Sequence, residues 1–322
     1  MPMTTFKWGF VGAGMIAKKA LYPAISRSNV GEIYAVASRD ADRAMTISPT
    51  GKIYTDYDSL FADPSVDGVY ISLPNAFHLP VAIKAMKAGK HVLCEKPLGM
   101  NAAQVQEAIA VSEAAGVLFV EASWNRWHPR TQRIQEVVQS GQLGAIKRIR
   151  SCFTYDGLDG GNIRLDPTIG GGILYDLGPY STVAPLWLLD FPVVSDLAVQ
   201  SVRHAGGVDE TTRVNYTLGN TVCETVTSCN IPETSWLIVE GEKGAARMLG
   251  HNVFNSRHAE SKLEITVGGK VTIEEFGPVD PYQIMADNFA RRAQGGSDWV
   301  MPLSESLRFA QLFDAAFAKM GK

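Results

Sequence analysis

The sequence is short of cysteine, of long hydrophobic runs and of excess charge of one sign. Four cysteines occur in 322 residues, which suits a reduced, cytoplasmic protein better than one built on disulfides. No apolar run is long enough to span a bilayer. The formal net charge is -3, and the positive charges are scattered along the chain. We therefore expect neither a nucleic-acid partner nor a membrane surface.

Internal repeats, low-complexity linkers and clusters of metal ligands are also missing. His91 and Cys94 could suggest a metal pair, but one pair is too little for a site, so no metal is expected. The first strand-like segment, FKWGFVGAG, begins at Phe6, and we expect no signal peptide ahead of it. A chain of this length exceeds one typical core, which indicates two domains.

Two halves of different character follow one another along the chain. Strand-like and helix-like segments alternate in the first half, where the strands are KWGFVG, EIYAVAS, VDGVYISL, HVLCE and VLFVE. This alternation predicts a Rossmann-like, doubly wound parallel sheet. After Trp124 come β-branched segments such as AIKRIRSCFTY and TVCETVTSC, with a hairpin turn at Gly219-Asn220. The sequence thus predicts an α/β domain over 1–122 and an α+β domain with a large, mainly antiparallel open sheet over 123–322.

A glycine-rich turn lies between the first strand and the helix that follows it. The segment GFVGAGMIA contains Gly12, Gly14, Met15, Ile16 and Ala17 in the order G-x-G-x-x-A. The first glycine permits a tight turn, the second lets the backbone approach a pyrophosphate, and the alanine lets the helix pack closely on the strand. Alone the pattern is shared by many turns. Its place between a strand and a helix, at the start of a β–α series, indicates a dinucleotide site.

The end of the second strand indicates which dinucleotide binds. An acidic side chain there would accept a hydrogen bond from the ribose of NAD. This chain has ASRD, with Ser38 and Arg39 at the tip, and a guanidinium can bind a 2′-phosphate through two hydrogen bonds. We therefore predict NADP as the cofactor. The alternative is that Arg39 is a solvated loop residue and that Asp40 takes the ribose of NAD.

Two further segments carry titratable side chains. CEKPLGM follows a strand at its carboxyl end, where ligands collect in such sheets. Lys96 in this segment could orient a hydroxyl, stabilise a phenolate or simply lie at the surface. GGGILYDLGPY holds Asp176 and Tyr180, four residues apart. Because Pro179 is tolerated only in a first turn, a helix is predicted to start near Asp176, with both side chains on one face and directed into the cleft between the domains.

These segments together resemble the glucose-fructose oxidoreductase / inositol dehydrogenase (Gfo/Idh/MocA) superfamily. The resemblance covers essentially the whole chain and rests on GFVGAGMIA, LPNAFH, CEKPLGM and GGGILYDLGPY, in that order. Three details are similar to the branch that holds dimeric dihydrodiol dehydrogenase and NADP-dependent D-xylose 1-dehydrogenase. They are ASR after the second strand, EASWNRWHP at the domain junction, and Tyr180, where many relatives have histidine.

The resemblance implies roles for individual residues. Lys96 would be the catalytic lysine, Asp176 would bind and orient substrate, and Tyr180 would be the general acid/base. Asn75 and His78 would lie near the nicotinamide and its ribose. The open face of the second sheet would form the contact of a homodimer or higher homo-oligomer. The full set of residues implied beside the cofactor, after the strands VDGVYISL and HVLCE, is Leu73, Pro74, Asn75, His78, Glu95 and Lys96.

The residue types fit the oxidation of an alcohol. The hydroxyl proton needs a base while hydride leaves for the nicotinamide. A free tyrosine, with a pKa of about 10, is too weak a base at neutral pH. The ammonium of Lys96 would favour the phenolate, whereas a carboxylate close to the phenol would oppose it. Asp176 is therefore expected to hold the substrate hydroxyl or to pair with Lys96.

Three residues of the second domain are candidates for substrate contacts. Trp124 could form a platform for a sugar or diol ring, or could pack the domain interface as large aromatic residues do. Arg126 could bind substrate or phosphate, or make a salt bridge between the domains. Arg164 could reach cofactor or substrate, although a solvated loop arginine is the commoner case.

The sequence therefore predicts an NADP-dependent oxidoreductase that acts on a hydroxyl or carbonyl group of a small sugar, polyol or cyclic diol. An aldose such as D-xylose, oxidised at C1, is the first substrate class and a trans-dihydrodiol is the second. Reduction of a keto or anhydro sugar with NADPH and oxidation of an inositol are alternatives. A nucleotide-sensing regulator without turnover is an alternative of another class. The presence of Lys96, Asp176 and Tyr180 together argues against it.

Overall fold

The computed structural model describes residues 5–158 and 160–321 of the chain. Within these ranges no helix has both the length and the apolar character needed to cross a membrane. The same residues contain no group of three or more histidine, cysteine, aspartate or glutamate side chains that could hold a metal ion. All four cysteines are free and buried.

Strands and helices have the following bounds. The strands are β1 Phe6–Val11, β2 Gly31–Ala37, β3 Lys52–Tyr54, β4 Gly68–Ile71, β5 His91–Cys94, β6 Phe119–Glu121, β7 Ile146–Asp156, β8 Val194–Arg203, β9 Asp209–Leu218, β10 Thr221–Ser228, β11 Asn230–Gly241, β12 Gly244–Leu249, β13 Ser261–Val267 and β14 Lys270–Phe276. The α-helices are α1 Tyr22–Ser26, α2 Ala41–Met45, α3 Tyr57–Ala62, α4 His78–Lys87, α5 Ala102–Ala115, α6 Pro129–Gln139, α7 Ile173–Leu177, α8 Ala184–Leu188, α9 Pro281–Ala293 and α10 Leu303–Lys319.

The chain divides into two compact units. The first unit comprises the described residues up to Trp124 together with Asp280–Leu307. The second comprises Asn125–Val279 together with the residues from Arg308 onward. The sequence predicts a boundary between residues 122 and 123, and in the structure the segment Asp280–Leu307 packs with the first unit.

The first unit is built on a six-stranded sheet in the order β3-β2-β1-β4-β5-β6. All of its strand pairs are parallel, and β4 is buried along its whole length, as expected for a strand with both sheet faces covered. The strand order reverses between β1 and β4. The loops after these two strands therefore flank the place where such sheets bind dinucleotides. The predicted doubly wound parallel sheet is confirmed.

Helix α9 packs within the first unit although it follows the second sheet in the chain. It starts at Pro281, where the Asp280 carboxylate accepts a hydrogen bond from the Tyr282 N–H. On its buried face Phe289 lies against Trp8 of β1, with the ring centroids 5.0 Å apart. Its packing partner, the parallel sheet of the first unit, lies far from it in the sequence.

The second unit is built on an eight-stranded sheet in the order β14-β13-β12-β11-β7-β10-β9-β8. Its strand pairs are antiparallel except β7 with β10. The predicted hairpin at Gly219-Asn220 joins β9 to β10, since Leu218 pairs with Thr221. Helices α6 and α7 contact the sheet, and burial alternates along β9 and β10, as in a sheet with one covered face. The predicted α+β unit with a large, mainly antiparallel sheet is confirmed.

Candidate active site

The loop after β1 is shaped to let another molecule approach its backbone. Gly12 has φ 87°, a conformation that favours glycine. A methyl group on Gly12 would lie 3.0 Å from the Leu73 side chain, and one on Gly14 would lie 3.3 Å from a carbonyl oxygen of the loop after β4. The following helical turn begins with Met15, which is 60% exposed, and the half-buried Ile16. The positive φ of Gly12 favours glycine, and the loop leaves little room for a Cβ at either position, as in a pyrophosphate cradle.

The tip of β2 presents an arginine that has no partner in the described part of the chain. Arg39 is exposed and makes no hydrogen bond or ion pair there. Ser38 is buried, and its hydroxyl accepts from the Asp40 N–H at 3.2 Å. The Asp40 carboxylate accepts from the Arg43 N–H at 3.0 Å and caps α2. Because Asp40 is already used by this helix, the geometry favours Arg39 as the residue that meets a ribose 2′-group.

A buried histidine fixes the loop after β4. Leu73 and Pro74 are half-buried, and Asn75 opens a single helical turn before α4. His78 is 1% exposed, and its Nε2 and Nδ1 lie 2.8 Å from the carbonyl oxygens of Leu73 and Pro97. Burial lowers the pKa of His78, so the neutral ring donates to one of these carbonyls. His78 therefore links the loops after β4 and β5.

The loop after β5 carries Lys96 at the carboxyl edge of the same sheet. Glu95 is 5% exposed and accepts hydrogen bonds from the Tyr70 hydroxyl at 2.6 Å and from the Lys96 N–H at 3.3 Å. Burial, helped by the Glu95 carboxylate, raises the pKa of Tyr70 well above its usual value, so the phenol stays protonated and donates. Glu95 thus fixes the start of the loop. The half-buried Lys96 is joined to Pro97 by a cis peptide.

A second carboxyl group lies on the neighbouring strand. Glu121 ends β6 directly opposite Cys94 of β5 and is 2% exposed. Burial raises the pKa of Glu121 to about 7, against the opposing effects of the nearby Ser306 and Ser123 hydroxyls and of the Lys96 ammonium. Sequence reasoning did not single out this residue. The only signal for it is the glutamate that closes the strand VLFVE.

In the second unit, the run of three glycines makes room for a carboxylate and for backbone carbonyls. Gly172 has φ 122°, and a methyl group on it would collide with the Asp209 carboxylate. A methyl group on Gly171 would lie 2.6 Å from two backbone carbonyl oxygens. The Asp209 carboxylate accepts from the Leu174 N–H at 2.8 Å. The glycines therefore let the first residue of β9 cap the helix that follows them.

Helix α7 starts earlier than the sequence predicts. It runs from Ile173 to Leu177, whereas Pro179 indicated a start near Asp176. Pro179 lies instead in the turn after the helix, where the Tyr180 N–H donates to the Leu177 carbonyl at 3.0 Å. The prediction is wrong because the cap comes from a residue distant in the sequence, which a local pattern does not reveal. Asp176 therefore lies inside the helix and Tyr180 in the turn that follows.

Asp176 is held by two donors. Its Oδ2 accepts from Arg164 Nε at 2.6 Å and from the Tyr155 hydroxyl at 3.2 Å. The Asp176 side chain is 12% exposed and that of Arg164 is 31% exposed. The Asp176 carboxylate raises the pKa of Arg164, and burial raises the pKa of Tyr155, so both groups stay protonated and donate. Arg164 is thus an ion-pair partner rather than a solvated loop residue, and Tyr155 is a site residue that sequence reasoning missed.

Tyr180 lies in an aromatic cluster of the second unit. It is 6% exposed. Its ring meets Phe153 edge-on at a centroid distance of 5.4 Å and lies 6.4 Å from the ring of Phe254. Such contacts hold the plane of the phenol ring. An acid/base residue needs this fixed orientation.

The remaining substrate candidates have partners inside their own units. Trp124 is buried and stacks on Tyr282, with ring centroids 4.9 Å apart. Arg126 is 3% exposed, and its guanidinium lies 4.7 Å above the ring of Trp187. The Arg126 Nη2 also donates to the Gln135 side chain at 3.4 Å. These contacts account for the burial of both side chains without a ligand.

Two family models match the chain and together cover more than half of it. The first, described as an oxidoreductase family with an NAD-binding Rossmann fold (GFO_IDH_MocA), matches residues 6–123. The second, the GFO/IDH/MocA C-terminal domain, matches residues 131–247. The two matches fall on the parallel sheet and on the large mixed sheet respectively.

Individual relatives and solved structures are also oxidoreductases. The chain is 34% identical over 322 residues to D-xylose 1-dehydrogenase (NADP(+)) 2 of Haloferax volcanii, covering 96% of each chain. It is 33% identical over 249 residues to trans-1,2-dihydrobenzene-1,2-diol dehydrogenase of Mus musculus, covering 75% of this chain and 74% of the other. A 3-ketoreductase from Actinomadura kijaniata, solved with NADP and TDP-benzene, superposes with a TM-score of 0.89 at 25% identity, covering 98% of each chain.

Proposed function

The chain belongs to the Gfo/Idh/MocA family of oxidoreductases, and we propose that it transfers hydride between NADP and a hydroxyl or carbonyl group of a small sugar, polyol or cyclic diol. One observation carries the proposal: the glycine cradle after β1 and Lys96 after β5 lie at the same carboxyl edge of one parallel sheet. The named activities of the relatives, on D-xylose and on a dihydrodiol, support this substrate class. The four buried free thiols support a reducing, cytoplasmic location.

The residues at the switch point of the first sheet fit a dinucleotide. A Cβ on Gly12 would crowd the Leu73 side chain, and one on Gly14 would lie close to a backbone carbonyl; the backbone of this turn would hold the pyrophosphate. Arg39, exposed and without a partner in the described residues, would hold the 2′-phosphate of NADP. Leu73 and Asn75 are half-buried on the neighbouring loop and would border the nicotinamide half. When bound, the nicotinamide supplies the hydride acceptor or donor.

Replacing Arg39 with alanine should weaken NADP far more than NAD. Hydrogen bonds to a charged group contribute about 1.5 to 3 kcal/mol, so the Kd for NADP should rise about 10- to 100-fold, while the Kd for NAD changes little. Titration calorimetry with both cofactors measures this difference. The matched control is Arg292→Ala, since Arg292 is an exposed arginine of α9 in the same unit. Equal affinity of the parent protein for NADP and NAD contradicts the role of Arg39.

Each of three residues has a separate role in the proposed proton transfer: Lys96, Asp176 and Tyr180. The Tyr180 hydroxyl, fixed by Phe153 and Phe254, takes the substrate proton during oxidation and returns it during reduction. Lys96, as the family resemblance implies, would supply the cation that favours the phenolate form of the catalytic tyrosine. Asp176, whose Oδ2 accepts from Arg164, is the proposed acceptor for a substrate hydroxyl.

A substrate panel tests the reaction class. Aldoses, inositols and cyclic diols are offered with NADP and with NAD, and keto sugars with the reduced cofactors, while nicotinamide absorbance is followed. We expect turnover of an aldose or a diol with NADP. If NADP binds tightly and no compound turns over in either direction, the nucleotide-sensing regulator becomes the better account.

The exposed face of the second sheet is the proposed contact between two copies of the chain. Val222 is 41% exposed whereas its neighbour Cys223 is fully buried, so these side chains lie on opposite faces of β10. On the face of Val222, Arg148 pairs with Glu224 at 3.5 Å. A surface whose charged side chains are paired can be covered by a second copy without leaving a lone charge buried.

Replacing Val222 with arginine should dissociate this dimer. An unpaired charge buried in an interface costs about 3 to 5 kcal/mol, so association should weaken at least about a hundredfold. Light scattering after size exclusion measures the mass across a dilution series. The control is Ile53→Arg, since Ile53 is an exposed strand residue, 37% exposed, in the first unit. A monomeric parent, or equal masses for parent and V222R, contradicts the assignment of this face.

A further inference from the structure

Arg130 is a buried cation of the second unit that the proposed hydride transfer does not use. It lies in the first turn of α6, directly after Pro129, and only 1% of it is exposed. Burial lowers the pKa of Arg130 to about 10, so the guanidinium is charged at neutral pH. It forms no ion pair with any residue that the structure describes. Because a buried charge without a counter-charge costs stability, neutral hydrogen-bond acceptors must offset its burial.

Three acceptors of the Arg130 guanidinium belong to one stretch of chain, residues 249–256, which ends β12 and continues as an irregular segment. The Nη1 atom donates to the Leu249 carbonyl at 3.0 Å. The Nη2 atom donates to the Val253 carbonyl at 2.6 Å and to the Ser256 hydroxyl at 2.9 Å. A planar guanidinium offers five N–H donors and can serve such separate acceptors together. Arg130 thus ties α6 to this segment at both of its ends.

The peptide group between Val253 and Phe254 is hydrogen-bonded at both of its polar atoms. Its carbonyl accepts from Arg130, and its N–H donates to the Ser235 hydroxyl of β11 at 3.3 Å. Arg130 is itself fixed, because its backbone N–H donates to Nδ1 of His128, the residue that caps α6, at 3.1 Å. Without the guanidinium the carbonyl has no donor to hold it, and the peptide plane can rotate. The position of the Phe254 ring therefore depends on Arg130.

Phe254 in turn contacts the proposed acid/base residue. Its ring, on a side chain that is 3% exposed, lies 5.7 Å from the ring of Phe153 and 6.4 Å from the ring of Tyr180. Phe153 meets Tyr180 edge-on at 5.4 Å, so the three rings form one cluster, which lies inside the second unit. Such contacts hold the plane of a phenol ring, and proton transfer needs that orientation. A displaced Phe254 would let the Tyr180 ring turn away from its productive position.

We propose that Arg130 is a positioning residue that sets the orientation of the Tyr180 phenol by holding the peptide between Val253 and Phe254. The inference rests on the proposed function, in which Tyr180 exchanges the substrate proton. It gives a role in the reaction to a side chain that contacts neither substrate nor cofactor in that proposal. It also accounts for a buried cation without a carboxylate partner, since backbone and hydroxyl oxygens of the segment use its donors.

Replacing Arg130 with methionine should lower kcat about 10- to 100-fold, the loss that a small misplacement of a reacting group causes. Methionine keeps an unbranched side chain in the helix and removes every N–H donor. The Kd for NADP should stay within about twofold, because Arg130 and the glycine turn after β1 lie in different units. Initial rates at saturating substrate, at a temperature well below the Tm of each variant, measure kcat, and titration calorimetry measures the Kd.

The matched control is Lys90→Met in the first unit. Lys90 is also a buried cation, 7% exposed, and its ammonium donates to the backbone carbonyls of Asp63 and Val66 at 2.6 Å and 2.7 Å. Both variants lose charged hydrogen bonds to the backbone, so the Tm of each should fall by about 5 to 10 °C. K90M should nevertheless keep the parent kcat. If R130M also keeps it while its Tm falls, Arg130 only stabilises the fold and the inference is overturned.

A double-mutant cycle tests the route through Phe254. Phe254→Leu keeps an apolar side chain and removes the ring that lies against Phe153 and Tyr180. If Arg130 acts through this ring, the double variant R130M/F254L should have about the kcat of the slower single variant. Losses that multiply in the double variant would show that Arg130 acts independently of Phe254, and they contradict the proposed route.

Hydrogen exchange gives a readout that does not depend on activity. In R130M the Phe254 amide should exchange about tenfold faster or more, because the segment that holds it opens more easily. Exchange at Tyr216, which lies in the middle of β9, should be unchanged. If R130M does not fold, Arg130→Lys keeps the charge but lacks the planar fork that reaches the three acceptors. R130K should then show faster exchange at Phe254 and a lower kcat, and parent values for both overturn the inference.

The outcomes separate this inference from the proposed function. A parent that turns over none of the sugars, inositols or diols overturns the proposed function, and the role of Arg130 fails with it. A parent that turns over, with an unchanged kcat in R130M, overturns the role of Arg130 alone, whatever the exchange data show. A lower kcat in R130M, faster exchange at Phe254 and losses that do not multiply with F254L support both.

Discussion

Replacing Lys96 with methionine, or Tyr180 with phenylalanine, is expected to lower kcat by about 100- to 10,000-fold, the range that positioned acid–base groups contribute. Lys96→Met keeps an unbranched side chain and removes the charge that is proposed to act in catalysis. Tyr180→Phe keeps the ring against Phe153 and Phe254 and removes only the hydroxyl that exchanges the proton. Initial rates at saturating substrate measure kcat, and titration calorimetry checks that the Kd for NADP is nearly unchanged.

Two matched variants control for the removal of a charge or of a buried hydroxyl. Lys87→Met removes an exposed lysine of α4. Tyr216→Phe removes a buried hydroxyl that donates to the Thr182 carbonyl at 2.7 Å, which should cost about 1 kcal/mol of stability. Both controls should keep the parent kcat. Full activity in K96M or Y180F would show that the proton follows another route.

Replacing Gly172 with alanine is expected to destabilise the protein by about 3 kcal/mol or more. A non-glycine residue at φ 122° costs about 1 to 3 kcal/mol. The added methyl group also collides with the Asp209 carboxylate, and overpacking costs about 1 to 3 kcal/mol more. Thermal unfolding should show a Tm lower by about 6 to 12 °C. The kcat should fall as well, because Asp209 caps the helix that carries Asp176.

A variant at a second glycine separates the energetic cost of the collision from the cost of the backbone conformation. Gly157 has φ 92°, and no atom lies within 4 Å of the place where its Cβ would be. Gly157→Ala should therefore cost only about 1 kcal/mol, from the backbone conformation alone. If the two alanine variants melt at the same temperature, the Asp209 carboxylate moves aside freely and our account of the glycines is wrong.

The sequence alone determines those features that depend on neighbours in the chain. The alternation of strands and helices predicts the parallel sheet, and Gly12 and Gly14 stand between a strand and a helix where a pyrophosphate is bound. The turn at Gly219-Asn220 predicts its hairpin. The candidate residues Lys96, Asp176 and Tyr180 are visible because they lie in short segments whose order along the chain resembles a family.

Only the tertiary structure decided the contacts that join distant segments. Asp209 lies 35 residues after Leu174, yet its carboxylate caps the helix of Asp176 and so moves the helix start away from the position that Pro179 indicated. Arg164 and Asp176 form an ion pair that makes the arginine a partner of the carboxylate instead of a solvated side chain. Burial and hydrogen-bond partners are properties of the packed chain, and no local pattern encodes them.

The same reason explains why the burial of Glu121 and the backbone contacts of His78 were not predicted. Glu121 is an ordinary strand-final glutamate until β6 pairs with β5 and buries it opposite Cys94. His78 stands inside a motif that resembles a cofactor loop, but in the folded chain both of its ring nitrogens face backbone carbonyls. The sequence determined which residue types gather at the carboxyl edge of the sheet. The fold determined which of these side chains remain available to a ligand, because the packed chain decides which of them already contact other protein groups.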